Sequence, residues 1–169
     1  TRQTESYFRL HSMQRLLITF SFFNLFVLAM LGLTLRVSPI VSLPVLYKNL
    51  LHAHSHFAFG GWVALVLITL LVYDVLPSPY KEKRSYQIAL WGIFITSIGM
   101  AFTFPFMGYR RVSIIFSSSF ILFTFYFSWI FFFDLLKTQM NKTIQFHLLR
   151  MIDFAFRIGF KIEVDLLTR

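Results

Sequence analysis

Three of the chain's five histidines fall within five residues, His52-Ala53-His54-Ser55-His56, and the run continues Phe57-Ala58-Phe59-Gly60-Gly61-Trp62. Neutral imidazole is a good ligand for heme iron, copper or zinc, and it costs less to desolvate than a charged group. Histidine is therefore a practical residue for holding a metal inside a membrane. On a helix His52 and His56 lie one turn apart on the same face, while His54 points to the opposite side. At most two of the three share a face. The competing reading makes them interfacial residues, hydrogen-bonded to headgroups, water or loop carbonyls. Gly60 and Gly61, one turn after His56, remove side chains and permit the close approach of either another helix or a flat macrocycle.

The elements that position this cluster follow from composition. A chain of 169 residues, 57% hydrophobic and 14% charged, with a mean hydropathy of +0.68, is too apolar for a water-soluble domain. Its solvent is lipid. The absence of cysteine excludes a disulfide scaffold, a thiolate metal site and covalent c-type heme attachment. A net charge of +9 would suit nucleic acid in a polar chain, but here the basic residues flank apolar runs, and no nucleic-acid partner is expected.

Four runs free of Asp, Glu, Lys and Arg are long enough to cross a hydrocarbon core, which takes about 20 helical residues. The spans are expected at about residues 16–35, 51–75, 86–108 and 112–136. Backbone amides in lipid must pair within their own segment or in a closed barrel, and runs without period-two polarity favour helices. The expected fold is thus all-α, an integral membrane four-helix bundle over residues 1–142. The amino-terminal span starts late and lacks a small-residue cleavage pattern, so it reads as a retained span.

Residues 143–169 behave differently. His147, Arg150, Asp153, Arg157 and Lys161 recur at three- and four-residue steps among Phe, Leu, Ile and Met, which describes an amphipathic cytoplasmic tail. Such a helix lies flat on anionic headgroups or packs on the bundle.

Counting Lys and Arg on alternate sides sets the orientation. Twelve fall in the amino-terminal segment, the second loop and the tail, against four at Arg36, Lys48, Arg110 and Arg111. Both termini are expected in the cytoplasm, with the histidine cluster at the outer face.

The run HAHSHFAFGGWV, His52 to Val63, resembles the His-x-His-x-x-x-x-Gly-Trp signature near the start of the catalytic subunit of heme-copper oxidases and nitric oxide reductases, above all its divergent bacterial members. The matching positions are His54 and His56, with Gly61 and Trp62 as the Gly-Trp pair. Phe104-Pro105-Phe106-Met107-Gly108-Tyr109, closing the third span, is a weaker likeness. The resemblance covers about the first 140 residues. It implies that His54 or His56 is an axial ligand of a low-spin heme b, with His52, Gly60, Gly61 and Trp62 around it. It further implies a place in a respiratory membrane complex of a bacterial inner membrane, in electron transfer or assembly.

That family takes its second axial histidine and its oxygen- or nitric-oxide-reducing site from late helices. Here only His11 and His147 remain outside the cluster, on the far side of about 30 Å of hydrocarbon. No complete oxidase is encoded, and a six-coordinate heme requires a ligand from partner membrane subunits or a homo-oligomer. The alternative is a non-enzymatic membrane protein whose cluster binds Cu or Zn or is purely structural.

Other polar residues suggest less. Asp74 and Asp134 end spans as solvated or proton-entry carboxylates. Asn24 and Ser117-Ser118-Ser119 are set to bond between helices, and Met100 and Met107 are fillers with thioethers to offer. Arg36, Lys48, Arg110 and Arg111 flank the membrane or pair with heme propionates. No nucleophile-base set, phosphate loop or HExxH site is present.

Overall fold

The structure, a computed structural model, describes residues 2–138 together with residues 146, 147, 150, 154 and 157, and gives the backbone alone for residues 2–10. All regular structure among the described residues is helical. Helix α1 covers Arg2–Val37 and α2 covers Tyr47–Phe57. Without a break, α2 continues through a π-helical segment at Ala58–Ala64, α3 at Leu65–Leu70 and a second π-helical segment at Leu71–Val75. After the short α4 (Ser78–Lys81) come α5 (Arg84–Met107) and α6 (Arg111–Lys137).

Four stretches are long and apolar enough to cross a membrane: His11–Val37, Tyr47–Val75, Arg84–Met107 and Arg111–Lys137. They coincide with the four expected spans. The first helix starts well before residue 16, because a helix need not stop where its apolar stretch does. Two compact units are present, Thr1–Phe127 and Ser128–Arg169, and the division falls inside α6. Most of the amphipathic pattern at residues 143–169, including Asp153 and Lys161, lies outside the described residues. In that stretch Phe146, His147, Arg150, Phe154 and Arg157 are helical and exposed, and the Arg150 guanidinium sits 5.7 Å from the Phe146 ring centre.

Within the first unit, contacts at three levels fix an antiparallel register between α1 and the Tyr47–Val75 rod. At one end the Gln14 side-chain amide donates to Asp74 Oδ1 at 3.0 Å. In the middle Asn24 Nδ2 donates to the Gly61 carbonyl at 2.5 Å. At the other end Gly32 faces the His54 ring. The buried stripe of α1 is Leu17, Ser21, Asn24, Leu28 and Leu35, a three- and four-residue recurrence that keeps one face on its neighbour.

Glycines then set the close approach of α5 and α6. A Cβ on Gly92 would meet the Phe123 ring at 2.3 Å, and one on Gly99 would meet the Phe116 ring at 2.3 Å. Each ring fills a space that only glycine leaves. Phe20 of α1 stacks on Phe94 at 5.1 Å and meets Trp91 edge-on at 6.1 Å, and because Gly60 faces Met100 while Asn49 faces Gly108, α5 runs against the rod and so in the same direction as α1. The core at the histidine end is Ala53, Met100 and Phe104, covered by Phe116 and Phe120.

Polar side chains inside the bundle are mostly satisfied locally, as a medium without water demands. Ser21 donates to the Leu17 carbonyl at 2.8 Å, Thr69 to Leu65 at 2.6 Å and Thr96 to Gly92 at 2.7 Å. Asp74 is exposed and bonded to Gln14 as above, while Asp134 is only 4% exposed. Large apolar groups point outward instead: Phe26, Phe102, Phe106 and Leu122 are each more than 60% exposed. In water such a surface promotes association, whereas in hydrocarbon it costs nothing.

Candidate functional site at the histidine end

Helix α2 carries all three clustered histidines, and its angular step of about 100° per residue sends them to two different neighbours. His52 and His56 turn toward the end of α5. His54 turns toward α1. Among the described residues no group of three His, Cys, Asp or Glu side chains is placed to share one metal ion.

On the α5 side the cluster is aromatic. The His56 ring lies over Phe104 with centres 4.8 Å apart and planes within 9°, and its Nε2 is 3.2 Å from the Tyr109 hydroxyl. His52 meets the Tyr109 ring edge-on at 4.9 Å, and the two imidazole centres are 6.5 Å apart. Tyr109 reaches this position because the chain reverses at Gly108, whose φ of +57° follows the end of α5. The Gly108 N–H donates to the Phe104 carbonyl at 2.9 Å. A Cβ there would stand 2.7 Å from Asn49 Oδ1 of α2. Pro105 sits in the last turn of α5, where a missing N–H and a ring clash already favour termination. Sequence reasoning placed Tyr109 only at the close of the third span. Its pairing with His56 spans 53 residues, beyond the reach of any local pattern.

On the α1 side His54 is lodged against Gly32, where a Cβ would come 3.2 Å from its Cε1. Its Nδ1 is buried and has no hydrogen-bond partner. Gly32 had no signal in sequence beyond being a glycine in an apolar span. His11 also lies on α1, 21 residues before Gly32, which is about 31 Å along a helix axis. His147 belongs to the second unit.

Gly60, Gly61 and Trp62 lie in the Ala58–Ala64 π-helical segment. The space above the glycines holds rings of this chain: a Cβ would meet Phe120 at 2.9 Å from Gly60 and Phe57 at 2.3 Å from Gly61. Trp62 is half-buried. A π-helical turn adds one residue and disturbs the regular carbonyl ladder, and such turns cluster at functional sites. Here the Gly61 carbonyl accepts from Asn24 across the helix interface, while Asn24 Oδ1 is buried without a partner. Asn24→Leu is expected to cost about 1–2 kcal/mol, because it strands that carbonyl in a dry interface. Reversible unfolding in detergent measures it.

The remaining side chains named from sequence divide between core and surface. Met100 is buried beside Ala53 and Phe104, while Met107, Arg36, Lys48, Arg110 and Arg111 are exposed.

Set against a heme, the donor chemistry fits one axial bond and not two. The His54 imidazole carries a buried nitrogen with nothing to bond to. His56, by contrast, has its nitrogen beside a phenol and its face on Phe104. No protein-family model matches the chain, and no curated protein or solved structure is significantly similar to it.

Proposed function

We propose that this chain is a heme- or metal-binding integral membrane protein that serves electron transfer or assembly in a respiratory membrane complex, and that His54 is its ligand. The observation carrying this reading is the unpartnered, buried Nδ1 of His54 on a helix long and apolar enough to span a membrane. A buried polar atom without a partner costs about 1–3 kcal/mol, and a bound ion is one way to recover that cost. Heme b, when bound, supplies one-electron chemistry. The chain's own contribution is the imidazole and its orientation against Gly32.

His52 and His56 leave α2 on the other face and are engaged with Tyr109 and Phe104, so a second protein ligand to the heme would come from a partner membrane subunit or a second copy. The excess of Lys and Arg in the amino-terminal segment, the second loop and the tail supports cytoplasmic termini, and the resemblance of the His52–Val63 run to bacterial oxidase subunits supports a bacterial inner membrane. The alternative reading, a non-enzymatic membrane protein whose cluster binds Cu or Zn or is purely structural, draws support from the docking of His56 on Phe104 and Tyr109.

Visible spectroscopy of protein purified from native membranes separates the two. The expected result is a Soret band that His54→Ala abolishes and His52→Ala leaves in place. Gly32→Ala, which crowds the His54 ring at 3.2 Å, is expected to shift or weaken the band in a folded protein. Colourless, metal-free material would overturn the heme reading, and colourless material carrying zinc or copper would favour the alternative.

A further inference from the structure

The aromatic side of α2 assembles three donor groups that the His54 reading leaves unused. We propose that His52, His56 and Tyr109 form a separate site for a divalent late transition-metal ion, copper(II) or zinc(II), held by two imidazoles and a phenolate. Helical i, i+4 spacing gives the two histidines a common side. The turn at Gly108 delivers the phenol from another element.

The distances are those of a site short of closure. Two donors at about 2.0–2.1 Å from one tetrahedral ion stand about 3.3 Å apart, and His56 Nε2 and the Tyr109 oxygen are 3.2 Å apart. Two imidazoles on one such ion have ring centres about 5–6 Å apart. His52 and His56 stand at 6.5 Å, which a small rotation of the half-buried His52 would close. Phe104, stacked within 9° of the His56 plane, restricts the rotation of that ring.

Binding forms two nitrogen–metal bonds and one oxygen–metal bond, and the phenol proton leaves to solvent. No electron changes hands. Imidazole and phenolate together suit copper(II) and zinc(II) better than magnesium or calcium, which prefer all-oxygen shells. Two opposing charges flank the site: exposed Arg110, next to Tyr109, and Lys48, one turn before His52. Lys48 too is exposed, and its long stem can carry the ammonium away.

Copper(II) or zinc(II) salts titrated into the detergent-solubilised full chain test this. One equivalent of copper is expected to bind with a phenolate-to-copper charge-transfer band and a nitrogen-coordinated copper signal in electron paramagnetic resonance. Since losing even an outer-shell partner costs about 10–100-fold in metal affinity, His52→Ala should weaken binding at least about tenfold. Tyr109→Phe keeps the ring packing, and should remove the charge-transfer band as well as weaken binding. His54→Ala is expected to leave the copper isotherm in place, so this site and the heme reading fail separately. Equal affinity in wild type, His52→Ala and Tyr109→Phe would overturn the site, as would the absence of stoichiometric copper and zinc binding. If His56→Ala does not fold, the His52 and Tyr109 variants decide.

Discussion

Replacing Gly92 and Gly99 together by alanine is expected to destabilise the bundle by about 2 kcal/mol, two overpacking costs of about 2 kcal/mol each less about 1 kcal/mol of helix propensity regained at each site. Ordinary carbon–carbon contact lies at about 3.5–4.0 Å. The new Cβ atoms would stand 2.3 Å from the Phe123 and Phe116 rings, and within 2.5 and 2.7 Å of their Cγ atoms. The conflict thus reaches the root of each ring, where rotation of the side chain gives little relief. Helix propensity opposes the effect, since alanine gains about 1 kcal/mol over glycine in a helix interior. Sterics win because both sites sit under an aromatic ring. The two positions are seven residues apart, about 10 Å along the axis, so near-additivity is expected. Unfolding in detergent or bicelles measures the loss. Phe123→Leu in the Gly92→Ala background should recover part of it, and an undiminished loss would show that the seam between α5 and α6 is not the cause.

Gly61→Ala is expected to be the most damaging single replacement in the rod, at about 2–3 kcal/mol. Its Cβ would fall 2.3 and 2.5 Å from the Phe57 ring, and Phe57 is 0% exposed, so its ring has nowhere to go. A shift of the backbone instead would pull the Gly61 carbonyl from Asn24. Gly32→Ala provides the contrast: one contact of 3.2 Å against a partly exposed imidazole should move stability by only a few tenths of a kcal/mol. Equal losses in the two variants would mean that the Phe57 conflict is not what sets the cost.

The spans were legible because hydrocarbon thickness and hydropathy are both coarse and local. The third and fourth helices, Arg84–Met107 and Arg111–Lys137, lie within two residues of their expected limits. The division of the histidines was legible too, since a 100° step separates His54 from His52 and His56 whatever surrounds them. Register was not. That Gly32 faces His54, or that Gly92 takes Phe123, depends on which small residue in one span meets which ring in another, and an apolar run offers many such matches. The π-helical segments at Ala58–Ala64 and Leu71–Val75 also had no local sign. Paired glycines accompany the first, and nothing in the residues of the second accounts for it. Tyr109 was visible as an aromatic near a helix end, yet its role beside His52 and His56 required the backbone reversal at Gly108.

One inserted residue at Ala58–Ala64 changes the angular phase of everything after it by about 100°. Upstream, the rod is clocked so that Ala53 and Phe57 turn inward; downstream, Leu65, Ile68 and Val72 do so. The insertion decouples these two settings, and deleting a single residue between Phe57 and Leu65 would force them onto a common clock. Either the imidazoles or the lower apolar face would then be swung out toward lipid.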